Sequence, residues 1–255
     1  MDNKDGPKTL QTTATSIEIL NLLEAVDGAR VSEIADQMET PKSTVHGHLA
    51  TLKEKKFVIQ RGDFYYLGPE LLRLGNQVRT RQEGFVLARE FTERLFEEVE
   101  LRSIFAVEMG GKAVFIHTAS GSKMGWMHEQ LGNRLYLHNT AVGKAILAEY
   151  PKSRVEQILD EWGMPAETEN TITDRAALFD ELAEVRDQGY AVNRAENIKE
   201  LHGIGVAATR QSGEVIGGFS VTGPEHSFTG SNREGQLADR VTEIINEYEL
   251  ELALA

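Results

Sequence analysis

The stretch from Thr40 to Leu52, TPKSTVHGHLATL, constrains this chain more than any other, because a capping residue and a proline stand directly before an apolar repeat of helical period. Thr40 is expected as the N-cap and Pro41 as the first helical residue, where a missing N–H costs nothing. On a 3.6-residue wheel Val45, Leu49 and Leu52 share an apolar face, while Ser43, His46, Gly47 and Thr51 point away from it. Side chains that small and polar let a helix enter a major groove and bond base edges or phosphates. Taken alone, the same wheel fits an ordinary amphipathic surface helix.

The flanks add charge and context. Between Pro41 and Arg61 the chain carries Lys42, Lys53, Lys55, Lys56 and Arg61 against Glu54 alone, in a protein of 27 basic and 40 acidic residues with a formal charge of -13. Phosphate binding needs such a local basic patch, whatever the total charge. Upstream, Ile19, Leu22, Leu23 and Val26 repeat at helical spacing, and Val31, Ile34, Ala35 and Met38 do so again after the Asp27-Gly28 break. The short gap from Met38 to Pro41 has the length of a helix-turn-helix turn. Downstream, Phe57-Val58-Ile59 and Phe64-Tyr65-Tyr66-Leu67 flank Arg61-Gly62-Asp63 and read as a hairpin. Three helices and a hairpin predict a winged helix-turn-helix that reads a double-stranded DNA operator. Its candidate contacts are Lys42, Ser43, Thr44, His46, Gly47, His48, Thr51 and Lys55, with Arg61 at the tip of the wing.

A chain of 255 residues with 40% apolar content has room for a second core. Residues 1–80 hold 10 basic and 11 acidic side chains, the remainder 17 and 29, so the acidity lies mostly outside the DNA-reading part. The absence of cysteine excludes disulfides, thiolate catalysis and cysteine-bound zinc. No apolar run is long enough for a membrane span and MDNKDGPK lacks a signal-peptide core, so a cytoplasmic protein is expected. An acidic surface with only 11 lysines also fits a high-salt cytoplasm.

The expected division is a DNA-binding domain over residues 1–68, a linker helix over 69–82 and a second, larger domain over 83–255. PELLRLGNQVRTR is helical in pattern with an interruption at Gly75, and Leu87, Phe91, Leu95 and Val99 mark the next helix. Strands are predicted at 103–109, 113–118, 203–209 and 215–222, with helices at 139–150, 152–162 and 174–188 and a last one opened by Ser231-Asn232-Arg233-Glu234. That order is α+β with an antiparallel sheet. The loop-to-helix junction from Leu137 to Lys144 is the candidate ligand site: a helix start offers free N–H donors to an anionic group, and Ala141, Val142 and Gly143 are small enough for close approach.

The run GARVSEIADQMETPKSTVHGHLATLKEKKFVIQ, followed by YYLGPELLRLG, resembles the N-terminal domain of IclR-family transcriptional regulators. LHNTAVGKAILAEYP, NTITDRAALFDELAEVRDQGYAVNRAE and VIGGFSVTGP resemble successive segments of that family's effector-binding domain, so the likeness spans roughly residues 9 to 250. The resemblance implies a GAF-like C-terminal fold, a homodimer or homotetramer held partly by the linker helix, and a small-molecule effector. It implies effector contacts at the Ala141 and Val142 amides, Asn193 and Gly203. Family members often carry Asp and Cys at these last two positions, and a Gly at 203 enlarges the pocket toward a sugar-derived acid or else permits close strand packing. Many also carry Arg where this chain has Gly47, so an operator sequence does not transfer.

Neither a cofactor nor a metal is expected. His117, His128, His138 and His202 lack metal-site spacing, and there is no GxSxG, Walker loop or GxGxxG to support an enzyme. The segment 123–128 around Trp126 is expected as a loop over the pocket or a dimer contact, and Trp162 as a helix end packed on its domain. A ligand-independent DNA-organising protein is the remaining rival, and it would have no use for a pocket.

Overall fold

A computed structural model describes residues 9–121, 131–230 and 232–254, in two compact units, residues 1–80 and 81–255. The expected loop at 123–128 and Ser231 of the expected capping box lie outside the described residues.

The first unit contains α1 (Gln11–Ala25), β1 (Ala29–Arg30), α2 (Val31–Gln37), α3 (Lys42–Glu54), β2 (Val58–Arg61), β3 (Phe64–Leu67) and α4 (Pro69–Thr80). Its core is Ile19 and Leu23 of α1, Ile34 and Ala35 of α2, and Val45, Leu49 and Leu52 of α3, closed by Val58 and Tyr65 of the hairpin. Val26, expected in the apolar repeat, is exposed because α1 ends one residue before it. Three turns set the helix angles, and all use one device. After α1, α2 and α3 a non-glycine residue takes a positive φ (Asp27, Glu39, Lys56), and the next amide returns to a carbonyl five residues back, as in Thr40 N to Ala35 O at 3.0 Å. That closure corrects the capping expectation: Pro41 is the N-cap, and the Thr40 hydroxyl donates to Met38 O at 3.0 Å within the turn.

The wing has a third strand that was not expected, since β1 pairs with β3 in the order β1-β3-β2. Arg61 faces Phe64 across a two-residue turn in which only Gly62 has positive φ, at 60°, the pattern of a type II′ hairpin. Gly68 is dictated by contact, because a Cβ there would lie 2.2 Å from Lys56 O where the chain leaving the wing crosses the end of α3. Helix α4 runs unbroken through Gly75 and buries none of its residues.

The second unit is a six-stranded antiparallel sheet between two helical layers. Its elements are α5 (Glu83–Val99), β4 (Arg102–Met109), β5 (Lys112–Ala119), β6 (Arg134–Tyr136), α6 (Ala141–Glu149), α7 (Lys152–Trp162), α8 (Arg175–Gln188), β7 (Ala191–Arg194), β8 (Leu201–Thr209), β9 (Val215–Pro224) and α9 (Arg233–Leu254). The strand order is β6-β5-β4-β9-β8-β7, so β6 and β7, which were not expected, form the edges. Alternation sends Phe105, Val107, Phe219 and Val221 to α5 and α9, and Ile104, Ala106 and Ala191 to α6, α7 and α8. Helix α6 lies directly on the sheet because β8 and β9 carry Gly205 and Gly218 beneath it; a Cβ on Gly205 would meet the Ala141 carbonyl carbon at 2.4 Å. Asp174 caps α8 by accepting from Ala177 N at 2.9 Å, and Gly189 closes it with φ of 86°.

Candidate DNA-binding face and effector pocket

On α3 the three buried side chains point inward, leaving Lys42, Ser43, Thr44, His46, Gly47 and Thr51 exposed on the opposite arc. Ala50 sits in the middle of that arc and is also exposed, a position that sequence reading passed over; a methyl there suits contact with a thymine methyl. His48 departs from the set. It is half-buried, and its Nδ1 is 2.8 Å from Ser16 Oγ, so it ties α3 to α1. The Thr51 hydroxyl donates back to Gly47 O at 3.1 Å, and Lys55 is exposed beside Glu54 at 2.8 Å. Glu54 is held below its usual carboxylate range by that hydrogen bond.

Gly47 leaves the helix surface open, since a Cβ there would meet nothing within 4 Å. The opening continues into a shallow depression between α1 and α3, bounded by Thr12, Thr13 and Ser16 on one side and Ser43, Gly47 and Thr51 on the other. Arg61 is exposed next to the wing turn. Lys53 Nζ donates to Gln60 Oε1 at 2.7 Å and Gln60 Nε2 donates to Gly62 O at 3.0 Å, which braces the wing against the end of the recognition helix. No local signal in the sequence announces that brace.

In the second unit, a cavity of about 130 Å³ opens at the start of α6. Four of the five expected effector residues line it: Ala141, Val142, Asn193 and Gly203. Gly143 does not. It is buried against Leu137, where a Cβ would meet the carbonyl oxygen at 2.3 Å, and its amide donates to Thr140 Oγ1 at 3.2 Å in the N-cap. The Ala141 and Val142 amides precede the first bonded turn and have no partner among the described residues. They are donors that the helix start leaves unspent.

Asn193 is spent on the fold. Its Nδ2 donates to Asn139 O at 2.6 Å and to Asn197 Oδ1 at 3.2 Å, while its Oδ1 accepts from Glu196 N at 3.1 Å. An aspartate has no donor for the first two bonds, which explains why an amide stands here. Beneath the pocket wall Lys144, 1% exposed, places Nζ 2.6 Å from Glu181 and 2.8 Å from Glu196 and so joins α6 to α8 and to the turn after β7. Gly203 stands at the cavity and in a close strand contact at once. The residue lines the cavity, and a Cβ would come within 3.0 Å of Thr222 Cγ2.

The structure adds lining residues that sequence reading missed. Ile104, Phe115 and Leu135 form an apolar wall, and Arg102, Ser220 and Thr222 are polar. Arg102 is 4% exposed, and burial pushes its guanidinium below the usual arginine range. Among the expected histidines, His117 is buried on the α5 side of the sheet, with Nε2 2.6 Å from Phe85 O. His138 stands near α6, and burial lowers its pKa from the ordinary value of 6.5. No metal-holding cluster occurs among the described residues. Trp162 ends α7 by donating from Nε1 to Gly110 O at 2.8 Å.

A winged helix-turn-helix followed in the chain by a cavity-bearing α+β unit defines a ligand-responsive DNA-binding protein. Residues 15–62 match the IclR helix-turn-helix domain and residues 77–247 match the bacterial transcriptional regulator IclR C-terminal domain. The chain belongs to the IclR family of transcriptional regulators, with a helix-turn-helix domain and a C-terminal effector-binding domain. It is 28% identical over 257 residues to a probable HTH-type transcriptional regulator ArcR of Halobacterium salinarum, covering 99% of this chain and 98% of the relative. The crystal structure of Thermotoga maritima IclR superposes with a TM-score of 0.80 at 27% identity, covering 96% of this chain and 100% of that one. An IclR homolog from Microbacterium hydrocarbonoxydans, crystallised in complex with 4-hydroxybenzoate, shares the fold with a TM-score of 0.78 at 22% identity, covering 96% of this chain and 98% of that one. Among the described residues no helix is long and apolar enough to cross a membrane.

Proposed function

We propose that this regulator binds a two-fold DNA operator through the exposed arc of α3 and releases or grips it according to occupancy of the α6 cavity by a small organic acid. The observation that carries the reading is a compact cavity at a helix start with two unspent amides, in a chain that also presents a DNA-reading helix. A cavity near 130 Å³ holds a ligand of roughly benzene's size, which favours a compact acid over the larger sugar-derived acid that Gly203 raised. The Microbacterium homolog's 4-hydroxybenzoate is a compact organic acid, though larger than benzene by a carboxylate and a hydroxyl.

In this reading Ser43, Thr44, His46, Gly47 and Thr51 meet base edges, and Lys42, Lys55 and Arg61 meet phosphate, with His48 holding α3 in place through Ser16. The domain roles follow residues 1–68, 69–82 and 83–255. Helix α4 supports a homodimer or homotetramer, because Leu74 and Val78 are 39% and 40% exposed on a helix none of whose residues is fully buried. A cytoplasmic regulator without catalytic activity is the corresponding cellular role. The test is selection of bound fragments from genomic DNA, followed by titration of the protein–operator complex with compact organic acids. Operator affinity should change with at least one acid, and turnover of an acid would replace the reading with an enzyme.

A further inference from the structure

Arg102 of β4 stands opposite Thr222 of β9, Thr222 opposite Gly203 of β8, and Gly203 opposite Asn193 of β7. Paired residues of a ladder share a face, so these four form one row across the sheet beneath the start of α6. Asn193 is satisfied and Gly203 has no side chain. Thr222 Oγ1 and the Nε and Nη2 atoms of Arg102 are buried and have no hydrogen-bond partner among the described residues. A guanidinium does not escape burial by losing its proton, so those donors wait for an acceptor.

Among the described residues none bonds to these donors, and the two buried acceptor oxygens left over, Glu196 Oε2 and Asn139 Oδ1, make no hydrogen bond either. Glu196 and Glu181 each bond Lys144 through Oε1, and Glu167 accepts from Asn139. The Arg102 guanidinium lies 5.6 Å from the Phe115 ring centroid, a contact that leaves its in-plane donors unused. Nε and Nη2 together form the edge that grips a carboxylate with two parallel bonds, the same edge that Arg73 turns to Glu70. We infer that Arg102 is the charge anchor of the pocket: its Nε–Nη2 edge takes both oxygens of a compact monocarboxylate, and Thr222 Oγ1 donates to one of them. Recognition of the charge then lies on strand β4, while Ile104 and Phe115 receive the apolar body and the α6 amides take a further polar atom. This deepens the effector reading above and rests on it.

The test uses the full-length protein with acetate, lactate and benzoate, each beside its uncharged amide, measured by calorimetry and thermal unfolding. At least one carboxylate should bind wild type about tenfold or more tightly than its amide, and the preference should shrink to about twofold in Arg102→Met. Arg102→Lys should keep part of it. An undiminished preference in Arg102→Met overturns the anchor and leaves the pocket reading standing. Tight binding of amides without preference overturns the anionic class, as does the absence of carboxylate binding up to about 10 mM; operator release by a neutral molecule would then still support the pocket. A second readout needs no ligand. In buffer free of carboxylates Arg102→Met should unfold at a higher temperature than wild type, because it removes an uncompensated buried charge. A lower unfolding temperature means that the guanidinium has a protein partner, which overturns the proposal.

Discussion

Asn193 donates from its side-chain amide to the backbone carbonyl of Asn139 at 2.6 Å, stitching the edge strand of the pocket to the segment that starts α6. Asn193→Asp turns that donor into an acceptor facing two others, Asn139 O and Asn197 Oδ1. Loss of the two bonds in a buried site should cost about 1–3 kcal/mol. Urea unfolding of the variant measures it, and an unchanged midpoint would mean that the amide is not needed for the fold.

Lys144→Met should be more damaging. The substitution leaves Glu196, 5% exposed, without its cation and removes the link between α6 and α8. A buried carboxylate stripped of its partner costs about 3–5 kcal/mol, and the double variant Lys144→Met, Glu196→Gln should recover part of that loss. Chemical denaturation of both variants decides the matter. A double variant no more stable than the single one would place the importance of Lys144 elsewhere.

On the DNA face the side chains divide by what they touch. Ser43→Ala and His46→Ala should relax base preference, whereas Lys42→Ala should weaken binding to every sequence and reduce the salt slope by about one counterion. Gly47→Ala should stabilise α3 by about 1 kcal/mol, since the added methyl meets no neighbour, yet crowd the surface that faces the groove. Binding to random and selected duplexes over a range of potassium chloride separates these effects. Identical behaviour of Lys42, Ser43 and His46 variants would contradict the assignment.

Much of the first unit was legible because helical periodicity is local: Val45, Leu49 and Leu52 are buried together, as the wheel requires. The helix ends were legible only in part: α1 stops just before the Asp27-Gly28 break, but the residue that turns the chain after each helix gave no signal. Glycine is the usual stop signal, and here Asp27, Glu39 and Lys56 take the left-handed conformation, which composition does not announce. Strands as short as Ala29–Arg30 and Arg134–Tyr136 carry no period to read. In the pocket, the amides of Ala141 and Val142 follow from the helix start, but Arg102 and Thr222 reach it only through the pairing of β4 with β9. Register between strands so distant in the chain leaves no trace in either segment alone, so the polar side chain with the most unspent bonding capacity was invisible until the sheet was assembled.

The acidic composition has its own consequence. A chain of formal charge -13 repels itself in dilute buffer, and screening relieves that repulsion. The unfolding temperature should rise as potassium chloride is raised from dilute to molar. Full stability in dilute buffer, with no further gain on adding salt, would remove the case for adaptation to a high-salt cytoplasm.

The central claim is that occupancy of the α6 cavity alters operator affinity, which requires the ligand to bind the two DNA-binding arrangements unequally. Its most direct test is the operator dissociation constant of the full-length protein, measured with and without a saturating compact carboxylate, for wild type and for Ala141→Trp, which fills the cavity. The account predicts a shift of about fivefold or more in wild type and none in the variant, with operator binding itself preserved. An equal shift in both proteins would place the effector outside this cavity, and no shift with any bound acid would show that the pocket does not govern DNA binding.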